Sequence, residues 1–385
     1  MATFECKVYK LTIEEHPNAD ALELARVGDY VSIVRKGQFQ TGDLGVYIPE
    51  AAIVPDWLLK EIGLEGKLAG KDKNRVKAMK LRGILSQGLI YPVLSSSVNG
   101  EMRHVVLGES GVDQESTSMN DCIDVEKGTD VTEFLGITKW EPPIPSSMSG
   151  EVFNAFGKTL KYDIENIKRY PDVLEEGEDI MLTEKIHGTW CCIAYHPELD
   201  HPLVTSKGLS EKGLAFKFNE ANERNLYVQI CNKVSKECSI DDLIKNLPSM
   251  VGESDDTPVY LLGEVYGKGV QDLAYADDVD KHFRVFDIYV GEPERGGYMN
   301  PRVVRRVCEV IGIDMVPWVY MGPYSKDIVE DFTNGKELVS GKELHMREGV
   351  VIRPLDERRH DELGRVILKS VSEAYLLRKG GTEYN

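Results

Sequence analysis

Short runs in which apolar and polar residues alternate occupy most of residues 3–55. The runs at 4–11, 30–34 and 44–49 each have the length of a strand, and Gly37 and Gly42 lie between them. Short, closely spaced strands with glycine turns are typical of small closed or nearly closed sheets. We therefore predict a small N-terminal β-barrel.

Apolar runs of strand length recur after residue 150, but longer insertions separate them. The predicted strands are 180–182, 193–195, 259–262, 283–290, 349–352 and 366–368. Apolar residues at helical spacing predict helices around 212–246 and 301–311. We find no internal repeat and no dinucleotide-binding glycine fingerprint. The pattern predicts an α+β domain of antiparallel sheets with flanking helices rather than regular βαβ units.

Between these two regions the chain becomes acidic and then rich in proline. Acidic residues dominate 108–140, where large apolar residues are few, and prolines cluster at 142–145. Such a change of composition is typical of a polar insertion followed by a stiff linker. We predict one domain over residues 1–143 and a second over 144–385, which agrees with the length of 385 residues.

The net charge of −18 and the pI near 5.0 argue against a general nucleic-acid-binding protein. One stretch, however, is strongly basic and includes a single acid, Asp72. Its candidate nucleic-acid-binding residues are Lys71, Lys73, Arg75, Lys77, Lys80 and Arg82. Contact with a polyanion and a simple solvated loop explain this stretch equally well.

The chain has seven scattered cysteines, no Cys-x-x-Cys pair and no apolar N-terminal segment. These features predict reduced thiols in an intracellular compartment, with the cytoplasm as the first choice and the nucleus left open. No run approaches the roughly 18 apolar residues of a membrane helix. We expect a protein that does not interact with membranes, and we expect a monomer.

Lys185 lies where a predicted strand runs into a turn closed by Gly188. Taken alone, this arrangement is typical of an exposed lysine. Two later carboxylates, Glu264 and Glu348, also lie beside glycines, and paired carboxylates suit a hard divalent cation. Such a cation near Lys185 would lower the pKa of its amine and make it a better nucleophile.

Further candidate residues suit a phosphorylated, base-containing ligand. Lys207 and Lys369 can neutralise phosphate charge, and Phe283 and Val350 can enclose a flat base. Each of these residues also has an ordinary structural role, because aromatic and valine side chains are most often part of the core.

The ordered segments EKIHGT, TSKG, GEVYG, FRVFDI, REGVVI and ILKS resemble motifs I, Ia, III, IIIa, IV and V of the covalent lysyl-nucleotidyltransferases. This superfamily includes ATP-dependent RNA ligases, DNA ligases and mRNA-capping enzymes. The segment at 16–23 is similar to part of an OB-fold tRNA-binding domain, and 80–92 and 162–170 are also similar to RNA ligases. An OB-like region before motif I resembles the RNA ligases that have an N-terminal OB domain, whereas DNA ligases and capping enzymes have an OB domain after motif V.

The resemblance implies an OB-like β-barrel followed by a nucleotidyltransferase domain, with ATP and Mg²⁺ or Mn²⁺ as cofactors and RNA as partner, including nicked RNA or RNA/DNA duplexes. It implies that Lys185 carries AMP, and that Glu348 and Glu264 serve the metal. The implied nucleotide-binding residues are Asn166, Arg169, Glu184, Ile186, Gly188, Ser206, Lys207, Glu264, Phe283, Val350 and Lys369. One departure concerns motif V, where related ligases often have Lys-x-Lys and this chain has Ile367, so Arg365 is a candidate for the second cation.

Two alternatives to an ATP-dependent RNA ligase stay open on the sequence alone. One is a capping-type nucleotidyltransferase that uses GTP. The other is an OB-fold RNA-binding protein with an inactive catalytic domain. The choice of nucleotide in a labelling assay separates all three.

Overall fold

The computed structural model describes residues 3–98, 101–109, 122–238, 254, 256–275 and 280–382. Residues 110–121 of the predicted acidic insertion and residues 239–246 of a predicted helix lie outside these ranges. The chain divides into two compact units. Unit 1 consists of Met1–Glu141 and Asn166–Pro171, and unit 2 of Pro142–Glu165 and Asp172–Asn385.

Unit 1 consists mainly of strands, as its alternating pattern predicts. They are β1 (Lys7–Lys10), β2 (Thr12–Glu15), β3 (Leu22–Val27), β4 (Tyr30–Arg35), β5 (Leu44–Ile48), β6 (Ala52–Ile53), β7 (Met79–Leu81), β8 (Ile84–Ser86), β9 (Leu89–Pro92), β10 (Leu94–Val98), β11 (Glu101–Leu107), β12 (Cys122–Asp124) and β13 (Thr138–Lys139). One helix, α1 (Asp56–Glu61), follows β6. The strands form the sheets β1–β5–β9, β2–β3–β4 and β10–β11–β12 and the pairs β6–β13 and β7–β8.

The core of unit 1 lies between these short sheets. Val8, Val46 and Ile48 are fully buried together with Leu58 of α1. Val8 and Val46 are partners in the antiparallel pairing of β1 with β5, so alternate residues of both strands face one core. In β5 the residues between are buried as well, since Tyr47 packs in a second cluster with Leu11 and Val34.

Unit 2 has fourteen strands among its described residues. They are β14 (Val152–Asn154), β15 (Glu165–Asn166), β16 (Asp179–Lys185), β17 (Thr189–Tyr195), β18 (Leu203–Ser206), β19 (Leu214–Phe216), β20 (Val259–Gly267), β21 (Lys281–Val290), β22 (Gly297–Tyr298), β23 (Trp318–Pro323), β24 (Gly349–Pro354), β25 (Arg359–His360), β26 (Gly364–Arg365) and β27 (Leu368–Val371). The helices are α2 (Lys207–Glu211), α3 (Leu226–Cys238), α4 (Pro301–Ile311), α5 (Lys326–Thr333) and α6 (Glu373–Leu376). Short 3-10 turns occur at Ser146–Met148, Ile167–Arg169 and Glu220–Asn222.

Two five-stranded sheets dominate unit 2, and all pairings described below are antiparallel. The nucleophile sheet, named for Lys185, has the order β15–β27–β24–β16–β23. The glutamate sheet, named for Glu264, has the order β18–β17–β20–β21–β22. Val351 of the nucleophile sheet packs against the buried cluster that contains Trp190 and Leu262 of the glutamate sheet, so the two sheets face each other. The predicted α+β class is confirmed.

Helices cover the outer faces of these sheets. Tyr227 of α3 and Val304 of α4 pack against the glutamate sheet. Helix α4 begins with Asn300, whose side chain caps the helix, followed by Pro301, and it ends before Gly312 at φ +73°. These are the residues that favour helix start and helix end. Within the described ranges, no helix is long and apolar enough to cross a bilayer.

Candidate active site

Lys185 is the last residue of β16, and its amine lies beside a buried carboxylate. The distance from Lys185 Nζ to Glu348 Oε1 is 2.7 Å, and only 7% of the Glu348 side chain is exposed. Burial alone would raise the pKa of Glu348, but the charge of Lys185 is the main cause that brings it down to about 2. Glu348 is therefore ionised and holds the lysine in place.

The turn after Lys185 requires glycine at position 188. A Cβ atom on Gly188 would lie 2.2 Å from the carbonyl oxygen of Val265 and 2.8 Å from Cγ of Glu264. The close approach of these backbones brings the end of β16 next to β20 of the glutamate sheet. Gly188 thus allows Lys185 and Glu264 to come close together. This packing alone explains why position 188 is glycine, without any contact with a ligand.

Strand pairing shows which residues share the face of Lys185. Lys185 pairs with Gly349, and Thr183 pairs with Val351. Val351 in turn pairs with Lys369 of β27. Directly paired residues of antiparallel strands point to the same side of a sheet, and side chains alternate along each strand. Lys185, Val351 and Lys369 therefore lie on one face, which is the face towards the glutamate sheet.

Glu264 enters the same space from the glutamate sheet. It pairs with Trp190 on one side and Arg284 on the other. Burial raises the pKa of Glu264 to about 8, although the nearby charge of Lys185 opposes the shift. A partly neutralised acid at this place would gain from any added cation, because a cation favours the ionised carboxylate.

Two further lysines complete the charged cluster. Burial, followed by the charges of Lys185 and Lys207, lowers the pKa of Lys369 to about 8. Burial also lowers the pKa of Lys207, whose Nζ lies 3.0 Å from Asp163 Oδ1. These mutual effects require the three lysines to be close neighbours. Lys207 is therefore a second positive charge near Lys369, in a chain whose motif V has Ile367.

Arg365, which the sequence offered as a candidate for the second cation of motif V, makes ion pairs in the structure. It pairs with Asp287 at 2.6 Å and with Glu357, and its guanidinium lies 3.7 Å from the ring centre of Tyr298. Arg353 of the nucleophile sheet also contacts Asp287, at 3.2 Å. Asp287, on β21, is fully buried, so this ion-paired cluster joins the two sheets at the floor of the cleft.

Val350 does not lie on the face of the nucleophile sheet that carries Lys185. Likewise, Phe283 does not lie on the face of the glutamate sheet that carries Glu264. Val350 is fully buried and pairs with Glu184, one position away from the lysine face. Phe283 pairs with Val265, one position from Glu264, and packs with the core under α3 and α4.

The residues that line the cleft instead are Phe286 and Val351. Both are half-buried and pack against the cluster that includes Trp190. A register shift between Leu262 and Gly263 changes the alternation of the strand pair formed by β20 and β21. Phe286 lies two residues after Arg284, the partner of Glu264, so it is on the side of Glu264, and the shift places Asp287 on that side as well.

Three other predicted nucleotide-binding residues have structural contacts. The Glu184 carboxylate accepts a hydrogen bond from Leu338 N at 2.7 Å, and its main-chain N–H donates to Pro317 O at 2.9 Å. Ile186 is a buried core residue. Ser206 pairs with Cys191, whose side chain faces the core under α3, and it contacts Tyr227 there.

Asn166 and Arg169 belong to unit 1. Asn166 caps a 3-10 turn by accepting from Lys168 N at 3.0 Å. Arg169 donates to Thr3 O at 2.8 Å and to Glu5 at 2.7 Å. Their predicted contact with the nucleotide stays a prediction.

The basic stretch lies on the surface of unit 1. Among its predicted nucleic-acid-binding residues, the exposed ones are Lys71, Lys73, Lys77, Lys80 and Arg82. Arg75 is half-buried, and its guanidinium lies 4.1 Å from the ring centre of Trp140. The hairpin of β7 and β8 also exposes Met79 and Leu81.

The sequence did not point to the partners of His187. Its ring contacts Asp272 at 2.8 Å and Tyr375 at 2.9 Å, and both partners lie far away along the chain. His187 Nδ1 is also 3.6 Å from Glu348 Oε2. No local motif marks Asp272 or Tyr375, so only the fold reveals this cluster.

The carboxylates fit a divalent cation of the magnesium type. Glu348 Oε2 is buried and has no hydrogen-bond partner in the described part of the chain, and Glu264 carries a raised pKa nearby. No group of three or more histidine, cysteine or acidic side chains converges on one point among the described residues. Mg²⁺ commonly uses only one or two carboxylates and completes its shell with water and phosphate oxygens, so this donor set suits it.

The sequence profile of the RNA ligase family matches residues 178–371, which contain every charged residue of this cleft. The chain belongs to the RNA ligase family. A profile described as the PHA02142 OB-fold domain matches residues 6–93 of this RNA ligase family member, which confirms the predicted N-terminal OB domain.

Solved structures of similar fold are RNA ligases of Naegleria gruberi. A lysine-to-alanine mutant with ATP and Mn is 22% identical, has a TM-score of 0.70, and covers 96% of this chain and 98% of its own. A glutamate-to-alanine mutant with AMP and Mn has 22% identity, a TM-score of 0.70, and coverage of 97% and 98%. The form with PPi has the same identity, TM-score and coverage as that mutant. No curated protein matches the chain significantly.

Proposed function

We propose that this protein is an ATP-dependent RNA ligase that joins a 3'-OH end to a 5'-phosphate end through a lysyl-AMP intermediate on Lys185. The observation that carries the proposal is the position of the Lys185 amine. It lies 2.7 Å from the buried Glu348, on the same sheet face as Lys369. The structures of the Naegleria protein hold ATP, AMP or PPi, which are the reactant and products expected for such chemistry.

In the first step the uncharged amine of Lys185 attacks the α-phosphorus of ATP. A nitrogen–phosphorus bond forms, the bond to the bridging oxygen of the β-phosphate breaks, and pyrophosphate leaves. The 5'-phosphate of the RNA then takes the AMP and releases the Lys185 amine. Finally the 3'-OH attacks that activated phosphate, and AMP leaves as the new phosphodiester forms.

Lys185 must lose its proton before it can attack. The contact with Glu348 favours the charged ammonium, so Glu348 has to exchange this partner for another cation. Glu348 and Glu264 would hold Mg²⁺ or Mn²⁺, which when bound neutralises phosphate charge and polarises the phosphorus–oxygen bonds. Lys369 and Lys207, as neighbouring positive charges, then favour the neutral amine of Lys185.

The same two lysines suit the transition state. Negative charge accumulates on the phosphate oxygens during attack, and fixed cations in a partly buried site stabilise that charge strongly. Phe286 and Val351 form an apolar slot behind the charged residues, and we assign them to the adenine ring. In this proposal they replace Phe283 and Val350.

The RNA itself would contact the exposed basic residues of unit 1. Lys71, Lys73, Lys77, Lys80 and Arg82 can release counterions from the phosphate backbone. We keep the proposal of two domains divided near residue 143, of a monomer, and of a reducing intracellular location. Support for the last point comes from five described cysteines, Cys6, Cys122, Cys191, Cys192 and Cys308, which form no disulfide.

Labelling with ATP tests the catalytic proposal. Incubation of the protein with α-labelled ATP and Mn²⁺ should transfer label to the protein, and Lys185→Ala should abolish the transfer. Lys212→Ala, at an exposed lysine of the same unit, is the matched control and should label normally. Labelling by GTP alone would indicate a capping-type enzyme, and RNA binding without any labelling would indicate an inactive catalytic domain.

A sealing assay tests the substrate. Nicked duplexes with RNA or DNA on each side of the break and in the template strand should be sealed only where the 3'-OH belongs to a ribonucleotide. Sealing of nicks that contain only DNA would contradict the assignment to RNA.

A further inference from the structure

The segment that follows β27, residues 372–382, makes repeated contacts with the site, and we name it the C-terminal strap. Ser372 begins it by donating its N–H to Glu348 O at 2.8 Å. The Ser372 hydroxyl donates to Arg347 O, also at 2.8 Å. The strap is therefore fixed to the main chain of the residue that holds Lys185.

The strap then reaches His187, two residues after the nucleophile. Tyr375 Oη lies 2.9 Å from His187 Nδ1, and Asp272 Oδ1 lies 2.8 Å from His187 Nε2. A carboxylate can only accept, so Nε2 carries a proton and donates it to Asp272. On the neutral ring, Nδ1 then accepts from the Tyr375 hydroxyl. The His187 main-chain N–H donates to Tyr275 Oη at 2.6 Å, which fixes the residue from a third side.

The strap also joins the two partners of the ring to each other. Arg378 Nε donates to Asp272 Oδ2 at 3.0 Å, and the same guanidinium lies 3.6 Å from the ring centre of Tyr375. Thr382 N donates to Asp272 Oδ1 at 2.7 Å. Although burial would raise it, the pKa of Asp272 is held well below its usual range by Arg378, the N–H of Thr382 and His187. Asp272 is thus a permanent acceptor, and the ring has one orientation.

This orientation matters because the His187 ring borders Glu348. Nδ1 lies 3.6 Å from Glu348 Oε2, while Oε1 of the same carboxylate holds Lys185. Only 4% of the His187 side chain is exposed, so the ring is held by packing and limits the positions that the Glu348 carboxylate can take. Residues that contact a reacting group without touching the substrate commonly determine how well that reacting group is oriented.

We infer that the C-terminal strap positions Glu348, and through it Lys185, by locking the His187 ring between Tyr375 and Asp272. Tyr375 and Asp272 are positioning residues that contact no substrate. The inference rests on the proposed function, since its readout is the adenylylation of Lys185. The strap is expected to act on the rate of that step and not on the binding of ATP.

The test measures single-turnover adenylylation over a range of ATP concentrations. Tyr375→Phe and Asp272→Asn should each lower the maximal rate about tenfold and leave the half-saturating ATP concentration unchanged. The matched control is Tyr289→Phe, which removes the hydroxyl of another buried tyrosine, bonded to the main chain of Glu292 and Pro293. This control should label at the normal rate.

A double-mutant cycle separates positioning from general destabilisation. In a His187→Ala background, Tyr375→Phe should have no further effect on the rate, because the ring through which its hydroxyl is inferred to act has been removed. If the rate loss of the double variant equals the product of the losses in His187→Ala and Tyr375→Phe, the inference is wrong. A normal rate in both Tyr375→Phe and Asp272→Asn would also overturn it. If Tyr375→Phe fails to fold, Asp272→Asn carries the same test. If the wild-type protein itself takes up no label, it is the proposed function that is wrong, and that result is distinct from a failure of the inference about the strap.

Discussion

The exposed lysines of residues 67–82 and the three lysines of the cleft differ in how their charge can act. Lys71, Lys73 and Lys77 lie on the surface of unit 1. In the cleft, Lys207 and Lys369 have lowered pKa values because burial and neighbouring cations disfavour their charge. Surface charges are screened by salt, whereas buried charges are screened much less.

This difference separates two tasks that a ligase has to combine. Surface lysines attract a long polyanion in proportion to the counterions they release, and no single one of them is essential. In the proposed reaction the cleft lysines act on one phosphate at fixed geometry, so each one should matter. Loss of a cleft lysine should therefore affect chemistry at any salt concentration, and loss of surface lysines should affect RNA binding mainly at moderate salt.

The largest expected effect is that of Lys369→Ala. Removing one fixed charge donor from a transition state costs on the order of 10²–10³ in rate, so adenylylation should fall by about that factor. Single-turnover labelling at two salt concentrations measures it. The loss should be the same at both, and recovery of the rate at low salt would show that Lys369 acts like a surface charge.

The next effect concerns the apolar slot. Phe286→Leu should raise the half-saturating ATP concentration about fivefold to tenfold, since aromatic stacking contributes roughly 0.5–1.5 kcal/mol. Phe283→Leu should leave ATP binding unchanged and lower the free energy of unfolding by about 1–2 kcal/mol through a core cavity. ATP titrations and urea unfolding of both variants decide between the two phenylalanines. The reverse result would restore Phe283 to the nucleotide site.

A smaller effect is expected on the surface. The triple substitution Lys71→Ala, Lys73→Ala and Lys77→Ala should weaken RNA binding about tenfold at moderate salt. It should also reduce the slope of log affinity against log salt by about 2, because each single-strand phosphate contact contributes roughly 0.7. Filter binding over a salt series measures both quantities. Adenylylation should be unchanged, and a loss of labelling would mean that the two sets of lysines are not independent.

The smallest effect is on stability. Burial raises the pKa of Glu184 to about 7, so the folded protein holds a proton that the unfolded chain releases near pH 4.5. Folding stability should therefore fall as the pH rises from about 4.5 to 7. Glu184→Gln should flatten this decline and stabilise the protein at pH 8 by on the order of 2 kcal/mol. Denaturant unfolding at pH 5 and pH 8 measures it, and an equal gain at both values would refute the cause.

The sequence predicted the charged residues that the structure brings together in the cleft, but it did not predict all the residues that pack beside them. Lys185, Glu264, Glu348 and Lys369 are each flanked by an apolar strand and glycine or serine, so their pattern is local and readable. The segments FRVFDI and REGVVI each offer two candidates for the base-binding slot. Choosing between them requires knowing which residue of the facing strand each one pairs with, such as Arg284 with Glu264, and the sequence of a single strand does not show that pairing.

The partners of His187 could not be predicted from the sequence for another reason, and neither could the nearness of Lys207, itself a sequence candidate, to Lys369. Asp272, Tyr375 and Arg378 meet His187 across separations of 85 to 191 positions. Lys207 reaches the cleft from a different sheet from that of Lys369. Contacts of this kind follow from the order of strands in the two sheets. Local spacing carries no information about them.

The ion-paired Asp287 closes one end of the space between the sheets. Along β24 the neighbours follow a fixed sequence, with Gly349 beside Lys185, Val351 beside the slot, and Arg353 on Asp287. In the proposed reaction this order would direct the adenine ring towards Asp287 and the phosphates towards Lys185. The end of the RNA that receives AMP would then approach from the Lys185 side, so the space between the sheets would need to hold only the nucleotide.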